Sequence, residues 1–189
     1  MREIPNLTES HLLTNDWCAT PSTEVLRRNF GEPGLNDQEW TSVTLPHQWA
    51  NSDEFANQQN VLYRCGFSEP PREQQDPTGL RTWICVDGVM TSADVWLDGS
   101  YLGLTQGYSI PHAFEITAAS HASSEHVLAI DANCPAVSEG PSSALTGIFQ
   151  AGQAFSSDAN PGGIWRNIRL ERTGSVRIDR LRVICREAD

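Results

Sequence analysis

Hydrophobic positions in this chain occur in short runs that are separated by turn-forming residues. The runs are rich in β-branched and aromatic side chains, which favour strands. They predict seven β-strands, at residues 62–67, 80–86, 93–97, 101–104, 127–130, 164–170 and 176–184. No segment keeps the 3.6-residue repeat of a long helix. A short helix at 22–29, capped by Ser22 or Thr23, and a helical turn at 36–40 are the helical elements that the pattern predicts.

Asp98 and Gly99 mark the clearest local signal, a tight turn between two strands. Both residue types tolerate the positive φ angles that a type I′ turn requires, so the flanking strands are expected to pair as a hairpin. In the strand before the turn, one alternate set of side chains must face the core. Of the side chains in this strand, the large ring of Trp96 would lose the most hydrophobic free energy if it were exposed, and we therefore expect Trp96 to lie in the core.

Two segments, 70–79 and 134–161, lack a strand pattern and predict long loops, the second of them longer than an ordinary connection. Short strands joined by turns and loops predict an all-β fold, an antiparallel β-sandwich of jelly-roll type. The chain has 189 residues, which fits a single domain. A catalytic (β/α)₈ barrel needs about 250 residues and is excluded on length.

The charge balance narrows the classes of function. The chain holds 24 acidic and 13 basic residues, a net charge of −11, and every basic residue is arginine. This is the wrong sign for a protein that binds nucleic acid, whose affinity comes largely from neutralising phosphates. The absence of lysine excludes Schiff-base chemistry and a phosphate-loop lysine. We expect no nucleic-acid partner.

The sequence shows no signal for membrane insertion, secretion or metal binding. No apolar run reaches the roughly 20 residues of a membrane span, and the first residues lack the apolar stretch of a secretory signal. These features predict no membrane partner and a cytoplasmic location. The five cysteines are scattered without a C-x-x-C pair, which predicts reduced, mostly buried thiols. The histidines lack metal-ligand spacing, so we expect neither a metal nor a cofactor.

No catalytic motif stands out. The chain lacks G-x-S-x-G, H-E-x-x-H, a phosphate loop and a dinucleotide fingerprint. Hydrolysis of a glycoside needs two carboxylates at a fixed separation, and sequence spacing within a sandwich does not reveal such a pair. We therefore assign no catalytic residue to this chain.

Two segments, 40–49 and 160–170, combine aromatic with turn-forming residues. In the second, Pro161-Gly162-Gly163 predicts a turn that leads into a strand, on which Trp165 and Arg166 would point to opposite faces. Two interpretations stay open. The tryptophan is buried beside a paired arginine, or exposed tryptophans stack on sugar faces while Asn, Asp and Arg side chains bind hydroxyls.

Taken in order, these segments resemble the N-terminal sugar-binding domain of glycoside hydrolase family 2, a family of β-galactosidases, β-glucuronidases and β-mannosidases. The resemblance rests on Trp40, Leu45-Pro46-His47-x-Trp49, Tyr63-Arg64-x-x-Phe67, Asp94-Val95-Trp96-Leu97-Asp98-Gly99-x-x-Leu102-Gly103, Gly107-Tyr108, Leu128-Ala129-Ile130 and Gly162-Gly163-Ile164-Trp165-Arg166-x-Ile168-x-Leu170. It implies a jelly-roll sandwich, like galactose-binding domains, over residues 1–189. Residues 40–189 would form the family-like core, and residues 1–39 an N-terminal extension and edge elements.

In that family the domain precedes an immunoglobulin-like domain and a catalytic barrel, and the barrel carries the catalytic glutamates. The resemblance therefore implies that this chain is a non-catalytic accessory domain, excised from a longer glycosidase, which packs against the barrel and helps to shape its active site. The implied partners are a weakly bound β-glycoside, the barrel and the immunoglobulin-like domain.

The resemblance also implies which residues touch the sugar. The two loops nearest the barrel would contribute Asn57, Asn60 and Asp158, and the stacking surfaces would be Trp49 and Trp165. Two other functions stay open. The chain would be an autonomous carbohydrate-binding module if exposed aromatic rings converged on one surface, or a purely structural or oligomerisation domain.

Overall fold

The structure, a computed structural model, describes residues 9–71, 79–135, 160–178 and 181–185. Within these ranges the chain forms twelve strands, two short helices and a 3₁₀ turn at Trp49–Asn51. The strands are β1 (Glu9–Leu12), β2 (Trp17–Pro21), β3 (Thr41–Val43), β4 (His47–Gln48), β5 (Asn60–Ser68), β6 (Arg81–Val86), β7 (Ser92–Leu97), β8 (Ser100–Gln106), β9 (His112–Glu115), β10 (Glu125–Asn133), β11 (Gly163–Ile164) and β12 (Ile168–Thr173). The helices are α1 (Glu24–Arg27) and α2 (Thr117–Ala122).

The strands form two main antiparallel sheets and one small one. The four-stranded sheet has the order β1-β12-β6-β9, the six-stranded sheet has the order β3-β2-β5-β10-β7-β8, and β11 pairs with β4. Strands β10 and β5 pair along their whole length, from Glu125 opposite Ser68 to Asn133 opposite Asn60. A continuous apolar core contains side chains from both main sheets. The predicted all-β sandwich is confirmed.

The predicted hairpin is present between β7 and β8. Asp98 and Gly99 have φ angles of 50° and 79°, as a type I′ turn requires. The predicted strands at 62–67, 80–86, 93–97, 101–104 and 127–130 all appear, several of them longer than predicted. The elements that were not predicted are short and mostly lack a clear apolar alternation; they are strands β1, β2, β3, β4 and β9 and helix α2.

Strand β7 faces the main core with the set of side chains that does not include Trp96, contrary to the prediction. Ala93, Val95 and Leu97 are the buried set that faces the main core, so Trp96 must point to the other side of the sheet. There its ring packs edge-on against Phe30, with 4.9 Å between the ring centroids, in a smaller apolar cluster. The alternation was predicted correctly, but the inward set was not, because a covering segment on the outer face gives Trp96 a second apolar environment.

That covering segment, residues 24–40, lies over the outer face of the six-stranded sheet. Helix α1 is capped by the Thr23 side chain and is shorter than the predicted helix at 22–29. The Arg64 guanidinium, buried on β5, donates to the Asp37 carboxylate at 2.8 Å and to the backbone carbonyl groups of Glu32, at 3.0 Å, and Phe30. Residues before position 40 thus supply an edge strand, β1, an inner strand, β2, and the cover of one sheet.

The predicted strand at 176–184 is wrong for its described residues. Residues 176–178 and 181–185 form no strand, and their apolar side chains are exposed, from 66% for Ile184 to 83% for Val176. Arg177 anchors the start of this segment, because its guanidinium stacks on the Trp83 ring, 4.4 Å from the centroid, and lies 3.5 Å from the Glu171 carboxylate. The alternating pattern is that of a strand, but β12 ends at Thr173 and none of the described strands pairs with the segment.

The cysteines are free thiols. Cys65, Cys85 and Cys134 are buried, whereas Cys18 is partly exposed and Cys185 is exposed. Burial raises the pKa of Cys18 and Cys65 to about 12 and that of Cys85 to about 11, so these thiols stay protonated and unreactive near neutral pH. Among the residues that the structure describes, no helix has the length and apolar character needed to cross a membrane.

Candidate functional site

The two aromatic segments from the sequence analysis meet at one place in the fold. In the small sheet, Gly163 lies opposite Gln48 and Ile164 lies opposite His47. The backbone N–H of Trp49 donates to the carbonyl group of Gly162 at 2.9 Å. The Pro-His-x-Trp segment and the Gly-Gly-Ile-Trp-Arg segment, far apart along the chain, thus form one structural unit.

Close contact explains both glycines of the second segment. A Cβ atom on Gly162 would lie 2.0 Å from the Trp49 ring, so no side chain fits there. Gly163 has a φ of 127°, and a Cβ on it would lie 2.2 Å from the carbonyl oxygen of His47. Only glycine combines that backbone conformation with such a close approach.

Trp49 is fully buried, with 0% of its surface exposed. Its indole N–H donates to the Tyr63 hydroxyl at 2.7 Å, and His47 Nδ1 is hydrogen-bonded to the same hydroxyl at 2.9 Å. Burial raises the pKa of Tyr63, and burial also lowers the pKa of His47 despite the nearby Glu54 carboxylate. The prediction that Trp49 stacks on a sugar is therefore corrected, because no face of its ring is open to a ligand.

Asn160 holds the loop at 52–60 against the glycine turn. Its side-chain amide donates to the carbonyl groups of Gln58 and Cys134, each at 2.8 Å, and its side-chain oxygen accepts from Gly162 N–H at 2.9 Å. Its backbone N–H donates to Ala56 at 2.8 Å. With its amide engaged on both sides, Asn160 is a structural bridge that positions the loop.

The predicted sugar-binding amides differ in availability. The side-chain oxygen of Asn60 accepts from the Asn133 amide at 2.6 Å, and Asn60 is half-buried. Asn57 is exposed at the loop surface, and its side chain has no hydrogen-bond partner among the described residues. Asp158 lies outside the described residues. Of the predicted amides, Asn57 is thus the one that is free to bind a ligand.

Trp165 and Arg166 do not lie on a regular strand, since β11 ends at Ile164. Trp165 is half-buried, and its indole N–H donates to the carbonyl group of Tyr108 at 2.7 Å. The Arg166 guanidinium stacks on the Trp165 ring, 4.4 Å from the centroid. The expected orientation to opposite faces is therefore wrong, because the two side chains cover one another, and Arg166 occupies one face of the ring.

Asp131 has one property of a general acid but lacks the accessibility that hydrolysis of a glycoside needs. Burial raises the pKa of the Asp131 carboxyl group, as in a general acid, but its side chain is 2% exposed and lies 2.7 Å from Arg27. No group of three or more His, Cys, Asp or Glu residues in the described part of the chain could hold a metal ion. The described part of the site thus has a loop that Asn160 holds in place, with Asn57 exposed on it, and a cation, Arg166, stacked on Trp165.

Sequence reasoning missed Tyr63 and His47 as the polar partners of Trp49. The available signal was the spacing of His47 and Trp49 two residues apart beside a strand that carries a tyrosine. Arg166 has no ion pair among the residues that the structure describes, and the sequence holds no signal for this because ion pairing depends on residues distant along the chain.

No protein-family model matches the chain. It is 27% identical over 111 residues to the β-glucuronidase of Formosa agariphila, and the aligned region covers 52% of this chain and 11% of that protein. It is 25% identical over 123 residues to a β-galactosidase of Vibrio vulnificus, covering 57% and 12% respectively. A β-glucuronidase structure from glycoside hydrolase family 2 superposes with a TM-score of 0.68 at 23% identity, over 89% of this chain and 18% of that one.

The chain is similar to glycoside hydrolase family 2 enzymes in sequence and fold. A β-glucuronidase 2 of Bacteroides uniformis gives a TM-score of 0.65 at 19% identity, over 88% of this chain and 18% of that one. The family resemblance is thus confirmed. The chain spans less than a fifth of the length of these relatives, so the similarity extends over one part of each of those enzymes.

Proposed function

We propose that this chain is a non-catalytic accessory domain of a glycoside hydrolase, which packs against a catalytic barrel and supplies one wall of its substrate site. The observation that carries the proposal is the unit built from β4, β11 and Asn160, which fixes the loop at 52–60 and leaves Asn57 exposed on it. A rigid loop with one free amide is suited to orient a sugar hydroxyl.

The segment after β12 supports the proposal that the domain packs against further protein. Its exposed apolar side chains alternate with polar ones, a pattern typical of a strand that is half-buried in a sheet. The Arg177 contact with Trp83 holds the start of this segment against the sandwich and leaves the apolar side chains of the segment exposed. We propose that the segment becomes ordered as a strand of the following immunoglobulin-like domain, where a neighbouring edge supplies its hydrogen bonds.

The first experiment tests for catalysis. The purified 189-residue chain is expected to hydrolyse none of a panel of nitrophenyl β-glucuronide, β-galactoside and β-mannoside substrates above the buffer rate. Turnover that disappears when a carboxylate of this chain is changed to an amide would contradict the accessory role.

The second experiment tests for a larger parent protein. The native protein that contains this sequence, detected by an antibody to the domain, is expected to be several times heavier than the 20.9 kDa of the chain. A native mass of 20.9 kDa would reject the accessory role and favour an autonomous module or a structural domain.

The third experiment tests the role of Asn57 in that parent protein. Loss of one hydrogen bond to substrate, worth about 0.5–1.5 kcal/mol, is expected to lower kcat/KM up to about tenfold in Asn57→Ala. Asn51→Ala is the matched control, since Asn51 is an exposed asparagine of the adjoining 3₁₀ turn. Equal effects of the two substitutions would contradict the assignment of Asn57.

The accessory domain and an autonomous carbohydrate-binding module predict different affinities for the isolated chain. As an accessory domain, the chain forms only one wall of a site and should bind a sugar with a dissociation constant of about a millimolar or weaker, because a few exposed hydrogen bonds barely offset the cost of fixing the ligand. Calorimetric titration with methyl β-glucuronide, β-galactoside and β-mannoside measures this. A micromolar dissociation constant would establish the autonomous module instead.

A further inference from the structure

Arg166 differs from the other arginines of the sandwich in having no acidic partner among the residues that the structure describes. Within residues 9–71, 79–135 and 160–178, the remaining arginines each lie within ion-pair distance of a carboxylate. These pairs are Arg27 with Asp131, Arg28 with Glu24, Arg64 with Asp37, Arg81 with Glu115, Arg169 with Asp87 and Glu171, Arg172 with Glu69 and Glu9, and Arg177 with Glu171. Outside those ranges, Arg182 is also exposed and has no ion pair among the described residues, and Arg166 differs from it in stacking on the Trp165 ring.

The position of Arg166 is set by its surroundings. Its guanidinium lies on the Trp165 ring, which is itself fixed by the hydrogen bond to the Tyr108 carbonyl group. Gly88 leaves the space for both side chains, because a Cβ there would lie 2.9 Å from Trp165 Nε1 and 3.2 Å from Arg166 Cδ. The Arg166 backbone N–H also donates to the Gly88 carbonyl group at 3.3 Å. The guanidinium is thus held in place before any ligand arrives.

We propose that Arg166 is a binding residue for a carboxylate, which neither the fold nor the proposed function assigns to it. A stacked guanidinium keeps its N–H edge free, and that edge matches the two oxygens of a carboxylate with parallel hydrogen bonds. Stacking on an aromatic face restricts the side chain, so binding a ligand costs less conformational freedom. A singly charged carboxylate suits this site better than a phosphate dianion, since the chain carries a net charge of −11 that repels a second negative charge more strongly.

The carboxylate has two sources with the same chemistry. It belongs to an acidic sugar, or to an Asp or Glu side chain of a protein surface that packs against this edge of the sandwich. Acetate reproduces the side-chain carboxylate alone, whereas D-glucuronate adds a sugar ring to it. Comparing the two probes on the same chain distinguishes these sources without any need for the parent protein.

The experiment is an NMR titration of the ¹⁵N-labelled 189-residue chain at constant ionic strength, because added salt screens an exposed charge. Sodium acetate and sodium glucuronate are each expected to shift the Arg166 Nε–H and Trp165 Nε1–H resonances in a saturable way. Comparable affinities indicate that the site binds a carboxylate alone, and at least tenfold tighter binding of glucuronate indicates a sugar acid. D-Galactose, which lacks the carboxylate, is expected to cause no shift.

Variants and internal controls separate this effect from general anion binding. Arg166→Gln is expected to abolish the Trp165 shift, and Arg166→Lys to weaken binding at least several-fold, because lysine keeps the charge but loses the planar pair of donors. Arg28→Gln, which removes an exposed arginine already paired with Glu24, is expected to leave both shifts unchanged. The Nε–H of Arg169 is an internal control and is expected to stay in place.

Four results would overturn the proposal. They are shifts that grow linearly without saturation, equal shifts with galactose, unchanged shifts in Arg166→Gln, and a response to inorganic phosphate with none to acetate. The outcome is independent of the proposed accessory function, because no readout depends on hydrolysis or on a second domain.

Discussion

Trp49 and Trp165 follow the two strands of the same antiparallel pair, yet they have different environments. Trp49 is enclosed by Gly162, Tyr63 and the main core, with its indole N–H bound to a side-chain hydroxyl. Trp165 leaves from the other end of the pair, is half-buried, and carries a cation on one face. The first ring therefore stabilises the site, while the second presents a charged group at its edge.

The difference shows that an aromatic residue beside a glycine turn does not by itself indicate a sugar platform. Where the glycines let a backbone approach the ring closely, as at Trp49, the ring becomes part of the core. Where a ring packs only at the edge of the core, as at Trp165, it keeps an accessible side, and a neighbouring side chain covers it. How closely the facing backbone approaches the ring separates the two.

The largest expected effect is on stability in Trp49→Ala. Removing a fully buried tryptophan leaves a cavity and takes away one of the hydrogen bonds of the Tyr63 hydroxyl, so the free energy of unfolding should fall by about 3–5 kcal/mol. Trp165→Ala is the matched comparison, and the half-buried ring with one backbone hydrogen bond should cost about 1–2 kcal/mol. Urea denaturation followed by circular dichroism measures both. Equal losses would show that the two rings contribute alike.

A smaller effect is expected from Gly162→Ala. The added Cβ would overlap the Trp49 ring, and forcing the ring to move in a packed core should lower the free energy of unfolding by about 1–3 kcal/mol. Gly34→Ala is the control, because a Cβ on Gly34 has no heavy atom within 4 Å, and its effect should stay within about 0.5 kcal/mol. A midpoint unchanged in Gly162→Ala would mean that Trp49 is free to shift.

The smallest effect concerns pH. Burial lowers the pKa of His47 in the folded chain below the value of about 6.5 in the unfolded chain. The unfolded state therefore binds more protons as the pH falls through this range, and the free energy of unfolding decreases. This contribution is fully present above about pH 6.5 and is lost progressively below it. The His47→Gln variant lacks the titrating group and should lose less stability between about pH 8 and pH 5.5 than the natural chain. Parallel pH profiles for the two proteins would show that His47 takes no part.

Much of the fold could be predicted from local patterns. The strands at 62–67, 80–86 and 127–130 were predicted because apolar, β-branched residues are concentrated there, and the hairpin because Asp98 and Gly99 tolerate positive φ. The candidate site was located only in part. The glycine turn and its neighbouring tryptophans were identified as a candidate site. The hydrogen bonds of Asn60 and Asn160 were not predicted, because their partners are distant along the chain and sequence spacing does not reveal them.

The sequence by itself determined what depends on near neighbours, namely the alternation of β7, the Asp98-Gly99 turn and the strand-like pattern of residues 176–184. The tertiary structure decided which face of β7 is covered, and it did so by laying residues 24–40 over Trp96. It decided that residues 176–178 and 181–185 form no strand, because a strand needs the hydrogen bonds of a neighbouring edge. It decided that Trp49 is enclosed and that Arg166 has no ion pair within the described part of the chain, since burial and ion pairing join residues that the chain brings together only when it folds.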